Sequence, residues 1–161
     1  MELFFSQASY CVLICDPLEH LDLGSNNLHG TIPEELSELN LLEVLYLDDN
    51  GITGSIPSEL GNLVSLESLS LRENKLTGTI PGNLGQCSKL NELFLDENLL
   101  QGSITSGIFR SHRLKKLNLG GNHLTGTIPS DIVQFQHLQE SKFLYNINVP
   151  LIYICSHKFI E

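Results

Sequence analysis

The sequence is poor in positive charge, in aromatic residues and in long apolar runs. Its 161 residues include 9 Lys and Arg against 19 Asp and Glu, a net charge of −10, and contain no Trp and one Met. A nucleic-acid binder needs a basic surface, so the shortage of Lys and Arg argues against that class and against a nucleic-acid partner. No apolar run approaches the ~20 residues of a membrane-spanning helix, so we expect no membrane span in this chain.

Motifs that carry enzyme chemistry are missing as well. The sequence contains no Gly-rich phosphate loop, nucleophile elbow, H-E-x-x-H motif or kinase catalytic loop. Its four cysteines and six histidines do not have the spacing of a zinc site. The sequence therefore predicts a protein that is not an enzyme, with no catalytic residues, no metal site and no cofactor.

What the sequence does contain is an internal repeat with a period of 24 residues. Five copies align without gaps over residues 18–137, and they start at Leu18, Leu42, Leu66, Leu90 and Leu114. A sixth copy starts at Leu138 but has Ser141 and Asn148 where leucines are expected. We therefore divide the chain into a degenerate N-terminal cap segment (1–17), five repeats (18–137), and a degenerate sixth repeat with a C-terminal tail (138–161).

Each repeat has three parts with different periodicity. The first, L-x-x-L-x-L, ends in the alternation of a half-buried strand, which places Leu45 and Leu47 inward and Tyr46 outward. The second, L-x-G-x-I-P, predicts a short second strand, with Leu76 and Ile80 inward, that proline ends. Apolar residues three apart in the last part predict one or two 3₁₀ or α turns. Such coils bury their apolar side only by stacking on one another.

Asparagine and glycine recur at fixed positions of the repeat. The asparagines are Asn26, Asn50, Asn74, Asn98, Asn122 and Asn146. We predict that they are buried and bond the backbone of their own and adjacent turns, because an unpaired buried polar group costs ~1–3 kcal/mol. The alternative is that asparagine recurs because it tolerates the left-handed backbone conformation of a turn.

The recurring glycines are interpreted as a packing column that admits only a minimal side chain. They are Gly30, Gly54, Gly78, Gly102 and Gly126.

The combined pattern LxxLxxLxLxxNxLxGxIPxxLxx resembles the plant-type leucine-rich repeat. L-T-G-T-I-P at 76–81 and 124–129 is typical of that family, and the match covers about three-quarters of the chain. The resemblance implies an α/β fold: a right-handed solenoid, or horseshoe, with a parallel sheet on its concave face and 3₁₀ or short helical turns on its outer wall.

The resemblance also implies a function. Similar plant proteins are receptor-like kinase ectodomains, receptor-like proteins and polygalacturonase inhibitors, which bind ligands or partner proteins. We expect a non-catalytic module that binds a protein or peptide in signalling or defence, extracellular or associated with the plasma membrane. The alternatives are a secreted inhibitor of a cell-wall hydrolase, or the truncated extracellular part of a receptor kinase.

The termini and the cysteines fit the family less well. Met1–Ser6 has no Lys or Arg, whereas a secretory signal peptide begins with a positively charged region. Val149–Cys155 is apolar and out of register with the repeats. We therefore expect a fragment of a longer protein. The family's Cys-closed cap suggests a Cys11–Cys15 disulfide, but the family's spacing is absent, and both pairing states stay open. Cys87 occupies the position of Leu39 and Leu63 and is predicted to be a buried apolar residue.

A binding site must then come from side chains on the exposed side of the concave sheet. Tyr46 and Phe94 lie in one outward column two coils apart, ~10 Å, among charged residues. Aromatics inside a charged rim are typical of a protein-binding hot spot, although single exposed aromatics are also common without function. The predicted ligand-binding residues are Tyr46, Asp48, Asp49, Arg72, Glu73, Phe94, Asp96 and Glu97. Residues 1–100 contain 16 acids and 3 bases, so we expect a basic ligand.

Overall fold

The computed structural model describes residues 3–4, 17–134 and 140–142, in which parallel strands and single 3₁₀ turns stack coil upon coil. One parallel sheet takes a strand from each coil, in the order β12-β10-β8-β6-β4-β2. Its strands are β2 (His20–Asp22), β4 (Val44–Tyr46), β6 (Ser68–Ser70), β8 (Glu92–Phe94), β10 (Lys116–Asn118) and β12 (Glu140–Lys142). This is the concave sheet, and it confirms the predicted leucine-rich solenoid.

The register of the concave sheet repeats the sequence period without a shift. Leu45 is paired with Leu69, Leu69 with Leu93 and Leu93 with Leu117. The strands centre one residue earlier than the alternation predicts, but the hydrogen bonds continue past them. Leu47 N donates to Ser70 O at 2.9 Å, and Asp49 N donates to Arg72 O at 3.0 Å. Leu45 and Leu47 are fully buried and Tyr46 is half-buried, as the alternation requires.

A second layer of strands follows the turn in each coil. β1 (Leu3–Phe4), β3 (Leu28–Thr31), β5 (Gly51–Ser55) and β7 (Lys75–Thr77) form one parallel sheet, and β9 (Gln101–Ser103) pairs with β11 (His123–Thr125). Leu76 and Ile80 are buried whereas Thr77 and Thr79 are exposed, which confirms the predicted second strand. The outer wall consists of 3₁₀ turns: η1 (Glu34–Glu38), η2 (Ser58–Asn62), η3 (Gly82–Gln86), η4 (Ser106–Arg110) and η5 (Ser130–Gln134).

The recurring asparagines form a hydrogen-bonded ladder between coils. Asn98 Nδ2 donates to Leu71 O at 2.9 Å, Leu95 O at 3.2 Å and Asp96 O at 3.2 Å, while its Oδ1 accepts from Leu76 N at 3.0 Å. Asn74 and Asn122 repeat this pattern one coil to either side. Each of these amides therefore joins its own turn to the preceding coils.

The first asparagine of the ladder differs from the others. Asn26 is exposed, and among the described residues its Nδ2 donates only to carbonyls of its own turn, Leu23 O and Gly24 O. Asn146 lies outside the described residues. Asn50 is half-buried, and Asn74, Asn98 and Asn122 are 8%, 4% and 2% exposed, so burial grows with the number of preceding coils.

The glycine column has a conformational cause in addition to the predicted packing cause. All five glycines adopt positive φ angles, from 77° at Gly78 to 98° at Gly30. L-residues rarely adopt this backbone conformation, so the column is a conformational requirement. A Cβ on Gly78 would approach Ser55 Cβ at 3.4 Å, an ordinary contact, but one on Gly54 or Gly102 would come within 2.7 or 2.9 Å of a threonine Cγ2. Steric exclusion is more severe at Gly85 on the outer wall, where a Cβ would overlap the carbonyl oxygen of Gly107 in the next coil.

Cys87 is a fully buried free thiol, as predicted for a residue in a leucine position. Its Sγ lies 3.3 Å from Leu60 O, and burial raises its pKa to about 11, so it stays protonated. Ser111 takes the same position one coil later, where Oγ donates to Leu90 O at 2.9 Å. Cys11, Cys15 and Cys155 lie outside the described residues, and so does the tail at 149–155.

Candidate functional site

The outward surface of the concave sheet is built from the two residues that flank each central leucine. Strand alternation turns both flanking side chains away from the core. One column then contains His20, Val44, Ser68, Glu92 and Lys116, and the other contains Asp22, Tyr46, Ser70, Phe94 and Asn118. The next outward position, beyond the strand, brings Asp48, Arg72 and Asp96 to the same face.

A recess forms where small side chains lie between large ones. Strand β6 presents Ser68 and Ser70, both buried, between Tyr46 of β4 and Phe94 of β8. The resulting concave recess has a volume of about 370 Å³. Its lining residues are Tyr46, Asp48, Ser70, Arg72, Phe94, Asp96, Lys116, Leu117 and Asn118.

One side of the concave recess is fixed by a chain of polar contacts across four strands. Tyr46 Oη hydrogen-bonds Ser68 Oγ at 3.1 Å, and Ser68 Oγ donates to Glu92 Oε2 at 3.2 Å. Glu92 Oε1 pairs with Lys116 Nζ at 2.8 Å. This series of polar contacts holds the Tyr46 ring in place and offsets the charge of Lys116.

The other side of the concave recess contains an arginine between carboxylates. Arg72 pairs with Glu73 at the turn, and its Nε lies 3.6 Å from Asp96 Oδ2. Asp96 is only 7% exposed, and its Oδ1 is buried without a hydrogen-bond partner. Burial raises the pKa of Asp96, and a hydrogen bond from its own backbone and attraction to Arg72 oppose this rise only in part.

The pKa shift of Asp96 predicts a pH-dependent effect on stability. Because the folded chain holds this proton to higher pH than the unfolded chain, stability falls as pH rises from the unfolded pKa through the folded one. Asp96→Asn should therefore raise the free energy of unfolding at pH 7, and the gain should vanish below pH ~3. Urea unfolding at both pH values measures this. A variant that is destabilised equally at both values would contradict the assigned burial effect.

The predicted site residues fall into two groups. Tyr46, Asp48, Arg72, Phe94 and Asp96 line the concave recess together. The remaining three, Asp49, Glu73 and Glu97, lie in the turn at its edge with φ of 52° to 53°. Ser25 and Gly121 take the same left-handed conformation in their own coils, so this geometry belongs to the repeat and not to one site.

Sequence reasoning missed Ser68, Ser70, Glu92, Lys116 and Asn118. Ser68, Glu92 and Lys116 precede the central leucine, and alternation places that position on the same face as the one that follows it. Ser70 and Asn118 share the column of Tyr46 and Phe94 but are not aromatic. The small–large contrast between Ser70 and its neighbours Tyr46 and Phe94 was present in the aligned columns. That contrast is the feature that could have located the recess.

A second recess lies on the flank of the solenoid, where the second strands meet the 3₁₀ turns. This lateral recess has a volume of about 920 Å³. Its lining residues include Thr31, Pro33, Glu34, Glu35, Pro57, Glu59, Thr79 and Pro81. It is larger than the concave recess, but no Tyr or Phe and no Lys or Arg line it. It therefore lacks the paired aromatics and the opposed charges of the concave recess.

Two other features, a metal site and a membrane-spanning helix, are absent from the described part of the chain. Residues 17–134 and the short flanking strands contain no group of three or more His, Cys, Asp or Glu side chains that could hold a metal ion. Within the same residues, no helix has the length and apolar character needed to cross a membrane.

Comparison with known proteins identifies the family. The sequence profile of the Leucine Rich Repeat family matches residues 17–39, 41–63, 65–87 and 113–135, which together exceed half of the chain. The chain belongs to the leucine-rich repeat family. The repeat that the profile does not match has Thr105 where the others have a proline such as Pro81.

Solved structures show that this leucine-rich repeat chain is of the plant type. It is 34% identical to the plant peptide hormone receptor RGFR1 in complex with RGF2, with a TM-score of 0.79, over 80% of this chain and 21% of that one. It is also 34% identical to the Arabidopsis receptor kinase HAESA, solved in complex with the peptide hormone IDA and the co-receptor SERK1. That match has a TM-score of 0.81 and covers 86% of this chain and 23% of the HAESA chain.

A shorter neighbour is covered more fully. The chain is 41% identical to a chain of the BIR3–SERK2 complex from Arabidopsis thaliana, with a TM-score of 0.71, over 84% of this chain and 73% of that one. By contrast, it spans about a fifth of the length of the RGFR1 and HAESA chains. No curated protein sequence matches the chain.

Proposed function

We propose that the chain is a non-catalytic leucine-rich repeat module that binds a protein or peptide ligand in the concave recess. It would act in plant signalling or defence as part of a receptor-like ectodomain, outside the cell or at the plasma membrane. The similar structures support this role, since RGFR1 and HAESA were solved with peptide hormones bound.

The observation that carries the proposal is the concave recess between two aromatic side chains. Ser70 leaves a gap between Tyr46 and Phe94, so an incoming side chain can contact both rings. Aromatic rings bury a large apolar area and lose little side-chain entropy, which is why they dominate binding hot spots. The polar chain through Ser68 and Glu92 fixes the Tyr46 ring before any ligand arrives.

The charge of the concave recess favours a basic ligand. Lys116 is offset by Glu92, and Arg72 is offset by Glu73 and Asp96. Asp48 also lines the recess and has no ion pair with any residue that the structure describes, so negative charge is in excess there. Because this attraction is electrostatic, salt should weaken it and slow association.

Selection from a displayed peptide library tests the proposed function. The folded chain is used to select peptides, and their affinity is then measured against Tyr46→Ala/Phe94→Ala. We expect that this double substitution abolishes binding of the selected peptides while the circular-dichroism spectrum stays unchanged, because both side chains are outward and the core leucines are untouched.

The matched control is Thr77→Ala/Thr79→Ala on the flank. Both threonines are exposed on the second strand layer, and Thr79 lines the lateral recess. This pair should leave the affinity of the selected peptides unchanged. If the threonine pair abolished binding and the aromatic pair did not, the lateral recess would be the binding site and the proposed function of the concave recess would be wrong.

A further inference from the structure

The carboxylate of Asp96 has an unsatisfied oxygen at the wall of the concave recess. Its side chain is 10% exposed and its Oδ2 faces Arg72 Nε at 3.6 Å, but Oδ1 has no hydrogen-bond partner. Buried acceptors in folded proteins are almost always paired, so an orphan such as this one requires an explanation. The fold does not need it, because Gly24 and Gly120 take the same position in other coils.

The surroundings of this oxygen suit a cation. Phe94 and Tyr46 line the same recess, and an ammonium group is attracted to aromatic faces. Asp48 contributes a second carboxylate, which has no ion pair among the described residues, while Lys116 is already paired with Glu92. Asp χ2 is a soft torsion, so the carboxylate can turn its free oxygen toward an entering donor without backbone movement.

The type of cation follows from how Arg72 holds Asp96. A guanidinium group binds a carboxylate best through both oxygens, but Arg72 already lies against Oδ2. A primary ammonium is a compact charge that needs only one oxygen. We propose that Asp96 anchors a primary ammonium group of the ligand, a lysine side chain or an N-terminal amine, in the concave recess between Tyr46 and Phe94. This inference rests on the proposed function and specifies the chemistry of the ligand.

The first experiment uses small probes of defined chemistry. N-acetyl-lysine methylamide is titrated into the chain with ¹³C-labelled carboxyl groups, and the Asp96 signal is assigned by its loss in Asp96→Asn. We expect saturable shifts of Asp96 and of the Phe94 ring, about tenfold weaker binding in Asp96→Asn, and no saturable shift with the norleucine analogue. The arginine analogue should bind more weakly than the lysine analogue. Equal binding of the norleucine or arginine analogue would overturn the proposal.

Arg72→Gln separates a direct role of Asp96 from a positioning role. If Asp96 binds the ammonium group, removal of the competing guanidinium should tighten binding of the lysine probe by about threefold or more. If Asp96 acts only by orienting Arg72, this variant should lose binding as Asp96→Asn does, and the proposal fails. Asp131→Asn, on the outer wall, is the control and should change nothing. Amide spectra of each variant verify the fold.

The outcome distinguishes this inference from the proposed function. Library peptides that bind through Tyr46 and Phe94, carry no ammonium group and tolerate Asp96→Asn would overturn the ammonium anchor but keep the concave binding site. Saturable binding of the lysine probe at Asp96, in a chain that selects no peptide on its concave face, would support the anchor and contradict peptide binding.

Discussion

Replacing Asn98 with Ala should lower the free energy of unfolding by about 3–5 kcal/mol, since one buried N–H left unpaired costs ~1–3 kcal/mol and each of three further hydrogen bonds lost costs ~0.5–1.5 kcal/mol. The side chain is 4% exposed and makes four hydrogen bonds to the backbone of two consecutive coils. Its loss leaves the Leu76 N–H unpaired inside the solenoid. It also removes one donor from each of three buried carbonyls, which keep a bond from Asn74, Asn122 or Glu73. Urea or thermal unfolding measures the effect.

Asn26→Ala is the matched control within the same ladder. Asn26 is exposed and, within the part of the chain that the structure describes, bonds only its own turn, so its removal should cost less than ~1 kcal/mol. If both substitutions lowered the free energy of unfolding equally, the asparagines would act only within their own turns. The hydrogen bonds between coils would then not be what stabilises the interior coils.

Leu71→Ala should cost about 2–5 kcal/mol, the range for a leucine whose removal leaves a cavity in a core. Leu71 has no exposed area and lies under the concave sheet of the third coil, with Leu47 and Leu95 at the same position of the adjacent coils. Close packing on both sides limits how far the coil can collapse into the space left behind.

Leu99→Ala provides the same chemical change at the surface. Leu99 is 45% exposed and is not part of the leucine core, so its truncation should change stability by no more than ~0.5 kcal/mol. The free energies of the two variants are compared by chemical unfolding under identical conditions. Similar losses for Leu71 and Leu99 would mean that the interior leucines do not carry the stability of the solenoid.

The fold was predictable because every coil has the same types of residue at the same positions of the repeat. The alternation around Tyr46 identifies the concave strands, and Pro81 marks the end of the second strand. The Asn ladder followed from the cost of burying an amide, and the structure supplies the partners that this cost requires. The positive φ angles of the glycines were not predicted, because a recurring glycine is equally consistent with a steric or a conformational cause.

The concave recess was only partly predictable. Whether a side chain points outward can be inferred from the alternation within one repeat, and this identifies Tyr46, Arg72 and Phe94. The depth of the recess depends on the sizes of side chains in three adjacent coils. The role of Ser70 is therefore visible only when the outward residues of those coils are compared. The orphan oxygen of Asp96 depends on burial by its neighbours, and the local sequence Asp96–Glu97 gives no indication of it.

Carboxyl footprinting with a library-selected peptide determines whether the ligand binds in the concave recess. Carbodiimide labelling and mass spectrometry report on both recesses, since Asp48 and Glu73 lie at the concave recess and its edge, whereas Glu34, Glu35 and Glu59 line the lateral one. We predict that the peptide lowers labelling of Asp48 and Glu73 and leaves the three lateral glutamates unchanged. Protection of the glutamates, with Asp48 and Glu73 labelled as in the free chain, would contradict the account.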